Sequence, residues 1–234
     1  LGRWLYLTAT ADKVMDSYDV EFTLMTNEGS AFNLNLLPNV DLTITSTGGS
    51  VDKSIAHYDE TIKFIPTEGG TGHVTAETNG ASYTIDFKTG DFELLQAAIN
   101  RAPENSVINL TRNYTYNEFD SITSGVLIDK NLTINGNGFT IDAMGKSRIF
   151  NVTVGSITLI NLTLKNGAAE DGGAVYFSST GSVIDCNFTG NKATGQFGKG
   201  GAVYFYGKGS VTNCNFINNA GSLGGAVYFR DYDT

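Results

Sequence analysis

Gly172-Gly173-Ala174-Val175-Tyr176-Phe177 returns as Gly200-Gly201-Ala202-Val203-Tyr204-Phe205 and again as Gly224-Gly225-Ala226-Val227-Tyr228-Phe229. A second phrase lies between the copies. It reads Gly181-Ser182-Val183-Ile184-Asp185-Cys186-Asn187-Phe188, then Gly209-Ser210-Val211-Thr212-Asn213-Cys214-Asn215-Phe216. The hexapeptide steps are 28 and 24 residues. Repetition on this scale marks a stacked-repeat architecture. The turns carry short β-branched and aromatic runs. They have neither helical periodicity nor the leucine spacing of a horseshoe, so they predict a parallel β-helix. Coils of such a fold stack about 4.8 Å apart, and equivalent side chains form ladders.

Within the second phrase, Val183, Cys186 and Phe188 are expected to face inward, as are Val211, Cys214 and Phe216. Their unequal spacing requires a bend, placed at Asp185 and Asn213. An earlier segment, Gly155-Ser156-Ile157-Thr158-Leu159-Ile160-Asn161-Leu162, matches this phrase at a shift of 26. That shift makes Ile157 equivalent to Val183, Ile160 to Cys186, and Leu162 to Phe188. Asn191 and Asn219 follow each Phe by three residues. Their amides can bond backbone groups and each other across coils. The Gly-Gly pairs supply a conformation closed to larger residues, or a close approach of coils.

Before the repeats, Phe92, Leu95, Ala98, Ile99 and Ala102 recur at helical spacing over residues 91–102. Asp91 is placed to cap this helix and Pro103 to stop it. An open solenoid end needs covering, so the helix is assigned as the amino-terminal cap, with an interdomain linker as the alternative.

Residues 1–88 read differently. Val20/Phe22/Leu24, Leu42/Ile44, Ile62/Phe64, Val74/Ala76 and Tyr83/Ile85/Phe87 alternate with polar neighbours. Turn clusters at 26–30, 47–50, 68–70 and 79–80 separate them. This predicts an antiparallel sheet structure of about seven strands, a small β-sandwich. The fold class is therefore all-β, with a sandwich at 1–88 and a capped parallel β-helix at 89–234.

The 234 residues carry a formal net charge of −9 and no Lys/Arg cluster, which argues against nucleic acid or anionic membrane as partners. No apolar run of membrane-spanning length is present. The chain opens at Leu1 and closes at Thr234, just past the third hexapeptide. It reads as a piece of a longer protein whose solenoid continues. Cys186 and Cys214 are one repeat apart and read as core thiols, with a disulfide as the lesser alternative and no metal-site spacing. No cofactor is implied.

Catalysis in a β-helix needs carboxylates converging across coils. The available acids are Asp129, Asp142, Glu170, Asp171, Asp185, Asp231 and Asp233, and no converging pair is evident. Glu170 and Asp171 read as a solvated loop. His57 and His73 lie in the first domain without a nucleophile. The candidate binding residues are Tyr176, Tyr204 and Tyr228. They share one repeat position and are expected to point outward in a row, where sugar or protein could stack. A purely structural role, in which the row packs under a loop or stabilises itself by stacking, is favoured over contact with a ligand. Asn109, Asn113, Asn131, Asn151, Asn161 and Asn187 stand in Asn-x-Ser/Thr sequons. The competing reading is that Asn and Thr are simply common in β-helix strands and turns; if any sequon is used, Asn161 and Asn187 are the better glycosylation candidates, since they sit between inward positions.

The paired motifs Gly-Gly-Ala-Val (172–175, 200–203, 224–227) and Phe-x-x-Asn (188–191, 216–219) resemble the repeat of chlamydial polymorphic membrane proteins. The same repeats occur in adhesin-like surface proteins of methanogenic archaea. A bacterial-type immunoglobulin-like domain, a capping helix and a β-helix in that order are most similar to those. Similarity to pectin-lyase-like β-helices extends back to about residue 91. The resemblance implies a right-handed β-helix on an extracellular, cell-surface or cell-wall protein. It implies attachment to a cell, host surface or polysaccharide rather than enzymatic activity. Nothing like an autotransporter barrel is present, so the chlamydial secretion route does not carry over. A structural stalk, or a polysaccharide lyase or hydrolase, is the alternative.

Overall fold

The computed structural model describes residues 5–26, 40–58, 60–78 and 80–230. The chain divides into two compact units at Thr89/Gly90.

The first unit holds two four-stranded antiparallel sheets. One runs Leu5–Val14, Ser17–Thr26, Ile62–Pro66, Gly49–Val51 in spatial order. The other runs Ile55–His57, Asp41–Thr47, Gly70–Thr78, Ala81–Thr89. Period-two alternation sends Val20, Phe22, Leu42, Ile44, Ile62, Phe64, Val74 and Ala76 into one core. The last strand departs from expectation: Phe87 is buried and Ile85 partly buried, but Tyr83 is exposed. Tyr18 packs over Phe87 in that region, with ring centroids 4.6 Å apart. The turn expected at 26–30 lies almost wholly outside the described residues, as does Asn79.

The second unit is a parallel β-solenoid of about five turns, begun by helix α1 (Asp91–Arg101). Three five-stranded parallel sheets form its walls. The first sheet stacks Ser106–Asn109, Leu132–Asn135, Ser156–Ile160, Thr180–Ile184 and Gly209–Thr212. The second stacks Tyr114–Thr115, Thr140–Asp142, Thr163–Lys165, Asn187–Thr189 and Asn215–Ile217. The third stacks Val126–Ile128, Phe150–Val152, Val175–Phe177, Val203–Phe205 and Val227–Phe229. Among the described residues no helix is long and apolar enough to cross a membrane.

The walls close because the chain bends where left-handed backbone is available. Asn161, Asp185 and Asn213 take φ of 50°, 53° and 51° at the corner between first and second sheets. Short polar side chains tolerate this region best after glycine. The hexapeptide glycines divide their work. Gly172, Gly200 and Gly224 have φ of 57°, 62° and 67°. Gly173 and Gly201 leave no room for a Cβ against the Gly201 and Gly225 carbonyls of the following coil.

Inside, the ladders are in register. Val183 pairs with Val211 and Phe188 with Phe216. The rings of Phe177/Phe205, Phe205/Phe229 and Phe188/Phe216 stack nearly parallel, with centroids 4.8, 4.7 and 5.0 Å apart. These distances are the coil spacing itself.

The register corrects the alignment of the earlier coil by two residues. Leu159, not Ile157, lies beside Val183, and Ile157 lies beside Gly181. Leu164, not Leu162, lies beside Phe188. The reason is side-chain volume. Phe177 stands where the preceding coil has Val152, and its ring fills the space a Cβ on Gly181 would occupy. Val152 is smaller, and Ile157 completes that layer.

Capping of α1 also differs from expectation. Gly90 is the N-cap and offers no side chain. Asp120 supplies the acceptor instead, taking the N–H of Phe92 at 2.7 Å on Oδ1. Asp91 faces the solenoid, accepting from Thr115 N–H at 2.7 Å and pairing with Arg112 at 2.7 Å.

Candidate functional site

Alternation in the third sheet sends Val175 and Phe177 inward and Tyr176 outward, and the next two coils repeat this with Tyr204 and Tyr228. The three tyrosines thus form a register-locked row. Tyr176 and Tyr204 meet edge to face with centroids 5.2 Å apart, and Tyr204 and Tyr228 at 5.4 Å. Such pairs hold one another in place. Tyr176 and Tyr228 are half-buried, but Tyr204 is only 4% exposed. Full outward exposure of all three is therefore corrected at Tyr204, which is enclosed by its row neighbours, by Tyr206 at 6.3 Å and by the Lys199 ammonium at 5.8 Å.

A groove of roughly 410 Å³ runs along this row, lined also by Asp171, Lys199, Tyr206 and Arg230. Charged groups stand in the groove and against the tyrosine row. The Arg148 guanidinium lies 5.2 Å from the Tyr176 ring centre and donates to Gly172 O, Ser124 O and Asp171 O at 3.1, 3.1 and 2.7 Å. Arg230 stacks 4.2 Å from the centre of Tyr206. Asp171 accepts from Lys199 N–H at 2.7 Å, and its other oxygen lies 3.7 Å from Lys199 Nζ. Asp171 is thus structured rather than a solvated loop residue. Burial pushes the phenols of Tyr176 and Tyr204 above their ordinary pKa, so both remain hydroxyl donors at neutral pH.

The sequence pointed to the tyrosines and missed the polar partners. Their signal was nonetheless present. Lys199 follows Asp171 by 28 residues and Arg230 follows Tyr206 by 24, the same steps as the repeats.

The other candidates are dispersed. Asp142 is held by Met144 N–H at 2.9 Å, by the Asn166 amide and by Lys165 at 3.4 Å. Asp185 accepts from the Asn213 amide. His57 pairs with Asp41 and His73 with Asp86, each at 2.8 Å, on exposed strand faces. Asp231 and Asp233 lie outside the described residues. Among the described residues no group of three or more His, Cys, Asp or Glu could hold a metal ion. Cys186 and Cys214 are free thiols in neighbouring coils, the first buried and the second partly so.

Of the sequon asparagines, Asn161 is exposed at the left-handed corner, whereas Asn187 is half-buried and accepts from the Asn215 amide at 2.9 Å. Asn109, Asn113 and Asn131 each accept a bond from the next coil, at 3.0, 2.8 and 2.6 Å. Asn151 stands in the tyrosine row, beside Tyr176.

Comparison with protein-family models, with curated proteins and with solved structures found no match to this chain.

Proposed function

We propose that this chain is part of an extracellular, adhesin-like cell-surface protein, of the kind found in methanogenic archaea, and that its groove holds a carbohydrate chain. In this reading the first unit is an immunoglobulin-like domain and the solenoid a right-handed, pectin-lyase-like β-helix. The chain acts by attachment, without catalysis of its own.

One observation carries the reading. Tyr176, Tyr204 and Tyr228 are fixed in register along a groove whose remaining lining is charged or phenolic. Repetition at the coil spacing favours an extended ligand over a compact one. Sugar rings offer apolar faces for stacking and hydroxyls for the groove's donors and acceptors. The Gly-Gly-Ala-Val and Phe-x-x-Asn repeats support the surface assignment.

The test is co-sedimentation of the chain with cellulose, chitin and fixed cells, alongside a Tyr176→Ser/Tyr228→Ser variant that leaves Tyr204 in place. Retention of the wild type and loss in the variant support the reading. No retention on any surface would leave the stalk reading standing. Release of new reducing ends from soluble polysaccharide would replace attachment by catalysis.

A further inference from the structure

Helix α1 is fastened to the first coils of the solenoid by two carboxyl groups that touch. Asp120 Oδ1 accepts from Phe92 N–H at 2.7 Å and, more weakly, from Glu93 N–H at 3.4 Å. Asp120 Oδ2 accepts from Asn117 N–H at 2.7 Å. On Glu93, Oε1 accepts from both the N–H and the hydroxyl of Ser121, each at 2.7 Å. Glu93 Oε2 is buried and, among the described residues, takes no N–H or hydroxyl donor. A Cβ placed on Gly90 would collide with Glu93 Oε2 and Asp120 Oδ1 together, so these two oxygens converge on one point beside the glycine. Two converging carboxylate oxygens repel unless a proton lies between them.

We propose that Glu93 and Asp120 share one proton, and that this proton is a pH-sensitive latch closing α1 over the amino-terminal end of the solenoid. The titratable side chain set against the pair from the chain beneath is Tyr116, and Asp91 of the helix first turn is already engaged elsewhere. Arg112 is engaged by Asp91 at 2.7 Å and stacks 3.9 Å from the Tyr114 ring centre. The Tyr116 hydroxyl donates to Asp120 O at 3.0 Å. The helix amino terminus favours one negative charge beside it. A second, in contact with the first, is opposed.

The direction of the pH effect follows from the proton count. Burial, together with the bond to Glu93, pushes the Asp120 carboxyl up to about 7. Burial also works to raise Glu93, but bonds from Asp120 and Ser121 outweigh it and hold Glu93 below its ordinary value. From the ordinary carboxylate range up to about pH 7 the closed cap keeps a proton that the opened cap has released. The latch therefore weakens as pH rises through this window and levels off above it. One proton of difference corresponds to about tenfold in the opening equilibrium per pH unit.

Amide hydrogen exchange on the whole chain, corrected for intrinsic exchange rates, tests this. Between pH 5 and 7 the protection of Leu95 and Ile99 is expected to fall by about tenfold per unit, while that of Val183 and Val203 stays level. In Glu93→Gln the amide can accept from Ser121 and donate permanently to Asp120, so the helix is expected to show no such slope. Carboxyl-carbon titration of the wild type supplies a second reading that needs no variant. One group of the pair is expected to titrate near 7. The proposal is overturned if α1 protection is flat in the wild type, if Glu93→Gln keeps the slope, or if both carboxyls titrate in the ordinary range.

Discussion

Asn191 and Asn219 bridge adjacent coils: the Asn191 amide donates to Asn219 Oδ1 at 2.9 Å, and the same oxygen accepts the Asn191 N–H at 2.9 Å. Asn191 is fully buried, and its own Oδ1 takes Gly167 N–H at 2.7 Å while Nδ2 also reaches Leu164 O at 3.0 Å. The asparagine of Phe-x-x-Asn is thus a structural staple between coils. Asn191→Ala would strand the buried Gly167 N–H, at about 1–3 kcal/mol, and remove the side-chain bond to Leu164 O. Asn191→Asp would keep the acceptor but set a carboxylate against the Leu164 carbonyl and Asn219 Oδ1. We expect the urea midpoint of both variants to fall, with Asp recovering toward wild type as the pH is lowered and Ala not. Equal pH profiles would contradict the assigned geometry.

Gly181 and Phe177 share one layer of the core. Gly181→Ala places a methyl group into the Phe177 ring, and overpacking of this kind costs about 1–3 kcal/mol. Ser182→Ala, one residue on, loses only a partly exposed bond from the Ser210 hydroxyl at 2.9 Å and should shift the midpoint much less. The comparison tests the shared layer of Gly181 and Phe177 directly. A larger effect at Ser182 would contradict it.

How far the fold was legible depended on how strictly the repeat was kept. From Gly172 to Arg230 the Val and Phe rows could be read off because both phrases recur with the same residue types. Before Gly172 the match followed Gly155-Ser156 onto Gly181-Ser182, and this misled. Those glycines differ in role: Gly155 is a turn at φ 84°, whereas Gly181 makes room for a ring. The useful marker was the corner residue, Asn161 standing where Asp185 stands, both left-handed. The tyrosine row was legible for the same reason as the core. Asp120 was not, since it caps a helix from 28 residues beyond Phe92 and no local pattern announces such a partner.

The two thiols should differ in reactivity. Burial pushes the Cys186 thiol up to about 11 and also raises Cys214, which is less enclosed. Little thiolate is available at either site near neutral pH. With a disulfide reagent at pH 8 we expect slow labelling at Cys214 first, and labelling of Cys186 only on unfolding. Fast, equal labelling of both, or an intact mass showing an existing bridge, would contradict the packing described.

The central claim is that the tyrosine groove is where the ligand sits. The most direct measurement is a titration of ring-carbon-labelled tyrosine signals with whichever polysaccharide retains the chain, added as soluble oligomers. The account predicts that Tyr176, Tyr204, Tyr206 and Tyr228 shift together with one saturating midpoint, while Tyr18, Tyr58 and Tyr83 of the first unit do not move. Saturating shifts confined to the first unit, or binding with no shift in the groove tyrosines, would contradict it.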